Sequence, residues 1–245
     1  KRVINQGTPV YTEGYANTSL NTQQMQNACV ATIKQLIGNK VMVVNSHASA
    51  AANEWGFGVP IVHGINPDDW SDLKKEPRVF TAISPNGLDA YYNRDCLNSV
   101  EKELFEIYGY YLWYAKKNVP THHSFEKYKE FLGRSLLYLD VSFRTPMNRA
   151  RTEAFLSGCC VIKVEGAHDL ERWAINNENI IIVPNNPAYI ANLIVNLIEN
   201  DFDKALQIGN KGREMAIKEF NRQKYRKTWL ELIKTTIKHF NDSNR

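Results

Sequence analysis

The chain has 245 residues, 43% hydrophobic and 23% charged, with a formal net charge of +4. That balance excludes a disordered, collagen-like or disulfide-scaffolded chain and leaves an ordinary globular protein able to bury a core. The positive charge is concentrated at the end, where residues 211–245 hold 10 Lys and Arg against 4 Asp and Glu.

Val3-Ile4 reads as a strand that breaks into a turn-rich loop, Gln6–Gly14, where Gly7 serves either an ordinary turn or a close backbone approach to a ligand. A helix follows from about Thr22 to Leu36, then short buried strands at Val41–Val44 and Ile61-Val62. The polar, Pro-punctuated stretch Asn66–Pro77 is the best linker in the chain. Beyond it the alternation restarts with a strand at Arg78–Ile83, a turn at Ser84-Pro-Asn-Gly87 and a helix to about Phe105. Tyr110–Tyr114 is strand-like, Ser124–Leu132 helical and Leu136–Leu139 a strand. A helix then starts at Thr145-Pro146 and stops at Gly158, with strands after it at Val161–Val164 and Ile180–Val183.

Asn186-Pro187 caps and opens a further helix, whose Ile190, Leu193, Ile194, Leu197 and Ile198 form one apolar stripe. The last segment carries Tyr225, Trp229, Leu232, Ile233, Thr236 and Phe240 on one face, so the basic tail is expected to dock on the protein rather than to bind nucleic acid. Its cations leave contact with acidic lipid head groups open.

Alternating strands and helices with short loops predict parallel sheets covered on both faces, with ligands at the carboxyl ends of the strands. The linker predicts two such units, divided as residues 1–70 and 71–222, with a docked helix over 223–245. Cys29, Cys96, Cys159 and Cys160 form no CxxC spacing, and no metal site or disulfide framework is expected. No run of about 18 apolar residues suits a membrane span, and a reducing cytoplasm fits best. His47 reads as a cap, His63 as structural, His122 and His123 as surface residues, and Glu165 and His168 as candidates beside a strand end.

The stretch from Arg144 to Arg151 poses an electrostatic problem. Arg144, Arg149 and Arg151 crowd the helix end that already carries the positive partial charge of the macrodipole. A bound phosphate or diphosphate at the free N–H groups would supply the counter-charge. An internal Arg149–Glu153 pair at i, i+4 accounts for one arginine but not for three.

Pro146-Met-Asn-Arg-Ala-Arg-Thr-Glu-Ala-Phe-Leu-Ser-Gly-Cys-Cys-Val-Ile162 resembles the donor-site signature of the group-1 glycosyltransferases. Asn176–Pro184, Asn186-Pro187 and the hinge-like Val62-His-Gly-Ile-Asn66 are similar to the family's neighbouring segments. The resemblance implies the GT-B architecture of two Rossmann-like domains, mostly retaining chemistry, and a UDP- or GDP-sugar donor with a glycan, lipid or protein acceptor. It implies no cofactor and no metal, fixed positive groups stabilising the leaving diphosphate.

In that family two glutamates eight positions apart flank the donor. The second matches Glu153, implying contacts to the ribose hydroxyls, and the first falls on Thr145 here. Where the family often sets Arg and Lys against the diphosphate, this chain offers Asn86 and Gly87, so Arg144, Arg149 and Arg151 are expected to supply the charge. Residues 1–70 are too few for a complete acceptor domain, and the expectation is one complete C-terminal domain plus part of an N-terminal one. The alternative is a catalytically weak nucleotide-sugar-binding module.

Overall fold

The computed structural model describes residues 3–6, 22–38, 40–50, 56–83, 92–114, 124–142, 148–166 and 169–242. The chain divides into two compact units, Lys1–Gly64 with Phe220–Arg245, and Ile65–Glu219.

The first unit holds a parallel sheet, order β1-β2-β3, of β1 (Val3–Gln6), β2 (Val41–Val44) and β3 (Val59–Pro60). Between them run α1 (Thr22–Ile37) and the short α2 (His47–Ala50). Ile37, Met42 and Val44 form a small core. The strand expected at Ile61-Val62 lies two residues earlier. β2 ends at Val44, whose carbonyl takes the Ile61 N–H at 2.9 Å as the last rung.

The second unit opens with a 3-10 turn at Pro67–Asp69, inside the expected linker, and β4 (Glu76–Thr81). There follow α3 (Arg94–Tyr108), β5 (Leu112–Tyr114), α4 (Phe125–Arg134), β6 (Ser135–Asp140), α5 (Arg149–Leu156) and β7 (Cys160–Val164). A 3-10 turn at Asp169–Arg172 leads to β8 (Ile181–Val183), α6 (Pro187–Glu199) and α7 (Phe202–Glu219). The five strands pair in parallel in the order β5-β4-β6-β7-β8. The fold class is α/β with Rossmann-like parallel sheets.

Side-chain alternation gives the sheet two faces. Val79, Leu137, Leu139, Cys160, Ile162 and Val164 share one core with Leu97, Val100 and Leu104 of α3 and Ile190, Ile194 and Leu197 of α6. Phe80 and Tyr138 turn to the opposite face, where the Phe80 ring meets those of Phe131 at 5.6 Å and Tyr128 at 6.0 Å. The strands are buried on both sides and read as continuous apolar runs. Fully burying each such Leu, Ile, Val or Phe contributes about 1.5–3 kcal/mol before chain entropy is charged against it.

The apolar stripe of α6 buries as expected, and the Asn186 side chain accepts the Tyr189 N–H at 3.1 Å. α7 leaves no apolar stripe in the sequence, because its buried residues are mostly small: Ala205, Gly209, Gly212 and Ala216. A Cβ on Gly209 would lie 2.4 Å from the Gly158 carbonyl oxygen, so this helix gains stability by close backbone approach.

The chain returns to the first unit as α8 (Arg222–Asp242). Thr236 is buried and Tyr225, Trp229 and Leu232 are partly buried, as the stripe predicts, but Ile233 faces solvent with Leu230 and Ile237. Gly64 admits this helix, since a Cβ there would lie 2.4 Å from that of Tyr225. His63 packs its ring 6.2 Å from that of Phe220, consistent with a structural histidine.

Candidate functional site

After β4 the chain runs outward to β5 and then crosses back to β6 on the other side of β4. Strand order therefore reverses between β4 and β6. The crevice outside the carboxyl ends at such a reversal is where open α/β sheets bind ligands. A cavity of about 200 Å³ lies there. Ala82 and Ile83 bound it beyond β4, Tyr138, Asp140 and Ser142 along β6 and its exit, and Asn148 and Ala150 at the start of α5.

The helix start differs from expectation. The N-cap of α5 is Asn148, whose side-chain oxygen accepts the Arg151 N–H at 2.7 Å. Thr145 and Arg144 lie outside the described residues, as do Gly7, Asn86, Gly87 and His168. The expected stop holds, with Gly158 at φ +73° in the left-handed region, which glycine adopts without strain.

Two of the three arginines, Arg149 and Arg151, have counter-charges within the protein, which corrects the expectation that a ligand must supply them. Arg149 is exposed and donates from Nε to Glu153 Oε1 at 2.8 Å, the i, i+4 pair weighed above. Arg151 is fully buried. Its Nε and Nη2 both reach Asp140 Oδ2, at 2.9 and 2.8 Å. The counter-charge for Arg151 is thus a strand-end carboxylate eleven residues earlier, and the side chain faces the interior rather than the cavity.

Asp140 has further partners. The Ser142 N–H donates to its Oδ1 at 3.0 Å and the Ser142 hydroxyl donates to the same oxygen. Asn148 Nδ2 stands 3.4 Å from Oδ2. On the neighbouring strand Lys163, also buried, is the register partner of Asp140. Its ammonium donates to the Ser142 carbonyl and, at 2.9 Å, to that of Val164. Two cations and one carboxylate therefore share this interior patch.

The charges set one another's protonation. Burial raises the Asp140 carboxyl, but Arg151, Lys163 and the Ser142 hydrogen bonds outweigh it and hold the group well below the usual carboxylate range. Burial pulls the Lys163 ammonium down to about 8, with Asp140 opposing the shift and Arg151 adding to it.

Glu153 is buried one turn into α5 and does not line the cavity. Besides Arg149 it accepts the Tyr128 hydroxyl at 3.0 Å. Burial raises its carboxyl above the ordinary value despite both hydrogen bonds. Asn93 sits in the left-handed region at φ 52°, and its Nδ2 donates to the Val141 carbonyl at 3.0 Å and Asn185 Oδ1 at 2.8 Å. It ties the exit of β6 to the segment after β8. Asp140, Lys163, Tyr128 and Asn93 escaped the sequence reading, because only strand register and helix docking bring them together.

Burial pushes the Cys96 and Cys159 thiols up to about 11 and that of Cys160 higher, which makes them inert packing groups. Among the described residues no cluster of three His, Cys, Asp or Glu is arranged to hold a metal, and no helix is long and apolar enough to cross a membrane.

No family model matches the chain, and no curated protein sequence does. Solved structures do. TarM of S. aureus superposes with a TM-score of 0.71 at 14% identity over 94% of this chain and 49% of its own. HepE of Anabaena, in complex with UDP, gives 0.67 at 13% identity over 96% and 72%. Sucrose-phosphate synthase from Thermosynechococcus elongatus gives 0.69 at 14% over 97% and 68%. The chain thus spans about half the length of TarM. Parallel Rossmann-like sheets, a switch-point crevice and these superpositions together identify the fold as that of the GT-B glycosyltransferases.

Proposed function

We propose that this chain carries the donor-binding part of a glycosyltransferase that moves a sugar from a nucleoside-diphosphate sugar, with retention, to a glycan, lipid or protein acceptor. The observation that carries the reading is the cavity at the β4/β6 switch point, closed on one side by the first turn of α5. The Arg151 N–H is taken by the Asn148 cap, and the N–H groups of Arg149 and Ala150, which have no partner within the helix, suit an anionic group. HepE, of the same fold, has been solved with UDP and with UDP-glucose.

In this reading Arg149 leaves Glu153 to meet the diphosphate, and Glu153 turns to the ribose hydroxyls. Arg144, Thr145, Asn86, Gly87 and Gly7 complete the donor site. Fixed positive groups stabilise charge developing on the leaving diphosphate, and the scheme calls on no cofactor or metal. Arg151 acts from behind, through Asp140.

Peripheral membrane contact falls on α8, where exposed Leu230, Ile233 and Ile237 lie beside Lys227, Lys234 and Lys238. Cosedimentation with vesicles containing phosphatidylglycerol tests that contact.

A second reading, a nucleotide-sugar-binding module of little turnover, is favoured by one observation: the charges of Arg149 and Arg151 are already satisfied within the protein. Assays of binding, hydrolysis and transfer over a panel of UDP- and GDP-sugars separate the two. Tight binding without turnover selects the module, and no binding at all defeats both.

A further inference from the structure

The walls of the cavity hang on a buried polar clamp. Ser142 is held through all its polar groups: its N–H and hydroxyl donate to Asp140, and its carbonyl accepts from the Lys163 ammonium. The first turn of α5 is fastened to the same carboxylate by Arg151 and approached by Asn148. Ser142 and Asn148 line the cavity, whereas Lys163 and Arg151 stand behind it. Desolvating two cations for one carboxylate is expensive. An apolar residue at 163, on a strand otherwise made of Cys and Val or Ile, would fill the core without that cost.

We infer that Lys163 is a positioning residue, which with Asp140 and Arg151 holds Ser142 and the first turn of α5 in the arrangement that an anionic ligand of the cavity requires. The ligand class, a nucleoside diphosphate, rests on the function proposed above; the clamp itself does not. Lys163 is fully buried and is not among the residues that line this cavity. It fixes where the carbonyl of Ser142 points and so keeps the Ser142 N–H and hydroxyl on Asp140, leaving the α5 turn in place for the ligand.

The test is made on the whole chain, with Lys163→Met compared with Leu197→Ala, a cavity-forming change in α6 on the far face of the sheet. Amide hydrogen exchange reads the clamp. In Lys163→Met the amides of Ser142 and Arg151 are expected to exchange about tenfold faster while those of α6 and α7 keep their protection. Leu197→Ala is expected to leave Ser142 and Arg151 unchanged relative to its neighbours. Titration with UDP and GDP reads the consequence, a roughly ten- to hundredfold weaker affinity in Lys163→Met only.

Unchanged local exchange, or equal affinity losses in both variants, overturns the inference. Failure of the unaltered chain to bind either nucleotide defeats the donor reading, while the exchange arm still decides the clamp. If Lys163→Met does not fold, Ser142→Ala removes one bond of the same clamp. Faster exchange at Asn148–Arg151 supports the inference, and wild-type exchange there contradicts it.

Discussion

Asp140 and Lys163 are register partners on the adjacent strands β6 and β7, both buried, and Arg151 closes on the same carboxylate from α5 with a 2.8 Å contact. Removing the carboxylate strands two cations in the interior. Asp140→Asn is therefore expected to cost about 3–5 kcal/mol in urea unfolding. The double change Asp140→Leu, Arg151→Met should lie closer to wild type than Asp140→Asn does, because it removes a charge of each sign. A loss below about 1 kcal/mol in Asp140→Asn would mean that the pair is not desolvated as described.

The same patch sets a pH dependence. The Lys163 pKa falls from 10.5 in the unfolded chain to about 8 in the folded one. Between those values the unfolded state binds more protons, so stability rises as pH rises from about 8 to about 10.5. Asp140 acts at the other end, where its depressed carboxyl contributes stability that is lost as pH falls below about 4. Unfolding free energies across pH 3–10 check both. Lys163→Met should flatten the alkaline rise, and an identical slope in that variant would refute the assignment.

The Asn148 side chain caps α5 at 2.7 Å. Asn148→Ala is expected to lower stability by about 1 kcal/mol, and Asn148→Ser to recover most of it. Calorimetric melting of the two variants provides the comparison.

Arg149 and Tyr128 donate to different oxygens of Glu153, Oε1 and Oε2. Arg149 is solvent-exposed, so Arg149→Ala should cost no more than about 0.5 kcal/mol in stability. Tyr128 bonds the carboxylate from a largely buried position, and Tyr128→Phe should cost about 1–2 kcal/mol. If Arg149 meets the diphosphate as proposed, Arg149→Ala loses about tenfold in UDP affinity, the weight of one charge-assisted hydrogen bond. Equal affinity in Arg149→Ala would remove it from the donor site.

The sequence made the sheet legible because its strands are apolar runs of the β-branched and Leu type, and helix α6 legible through its cap and stripe. It left α7 unread, since Gly209 and Gly212 pack by backbone approach and leave no apolar periodicity. The partner of Arg149, Glu153, is legible in the sequence as an i, i+4 pair, whereas that of Arg151, Asp140, is not. Arg151 meets Asp140 only through the packing of α5 beside the end of β6, and Lys163 meets them only through the β6–β7 register. Local rules read one element at a time, and this patch is a relation among three.

The proposed donor site stands on the switch-point cavity binding a nucleoside diphosphate. Amide hydrogen exchange of the chain with and without saturating UDP, and separately GDP, tests it most directly. Added protection is expected at Ala82–Ile83, Asp140–Ser142 and Asn148–Arg151. No binding of either nucleotide, or protection confined to the separate groove beside Phe105 and Tyr111, would contradict it.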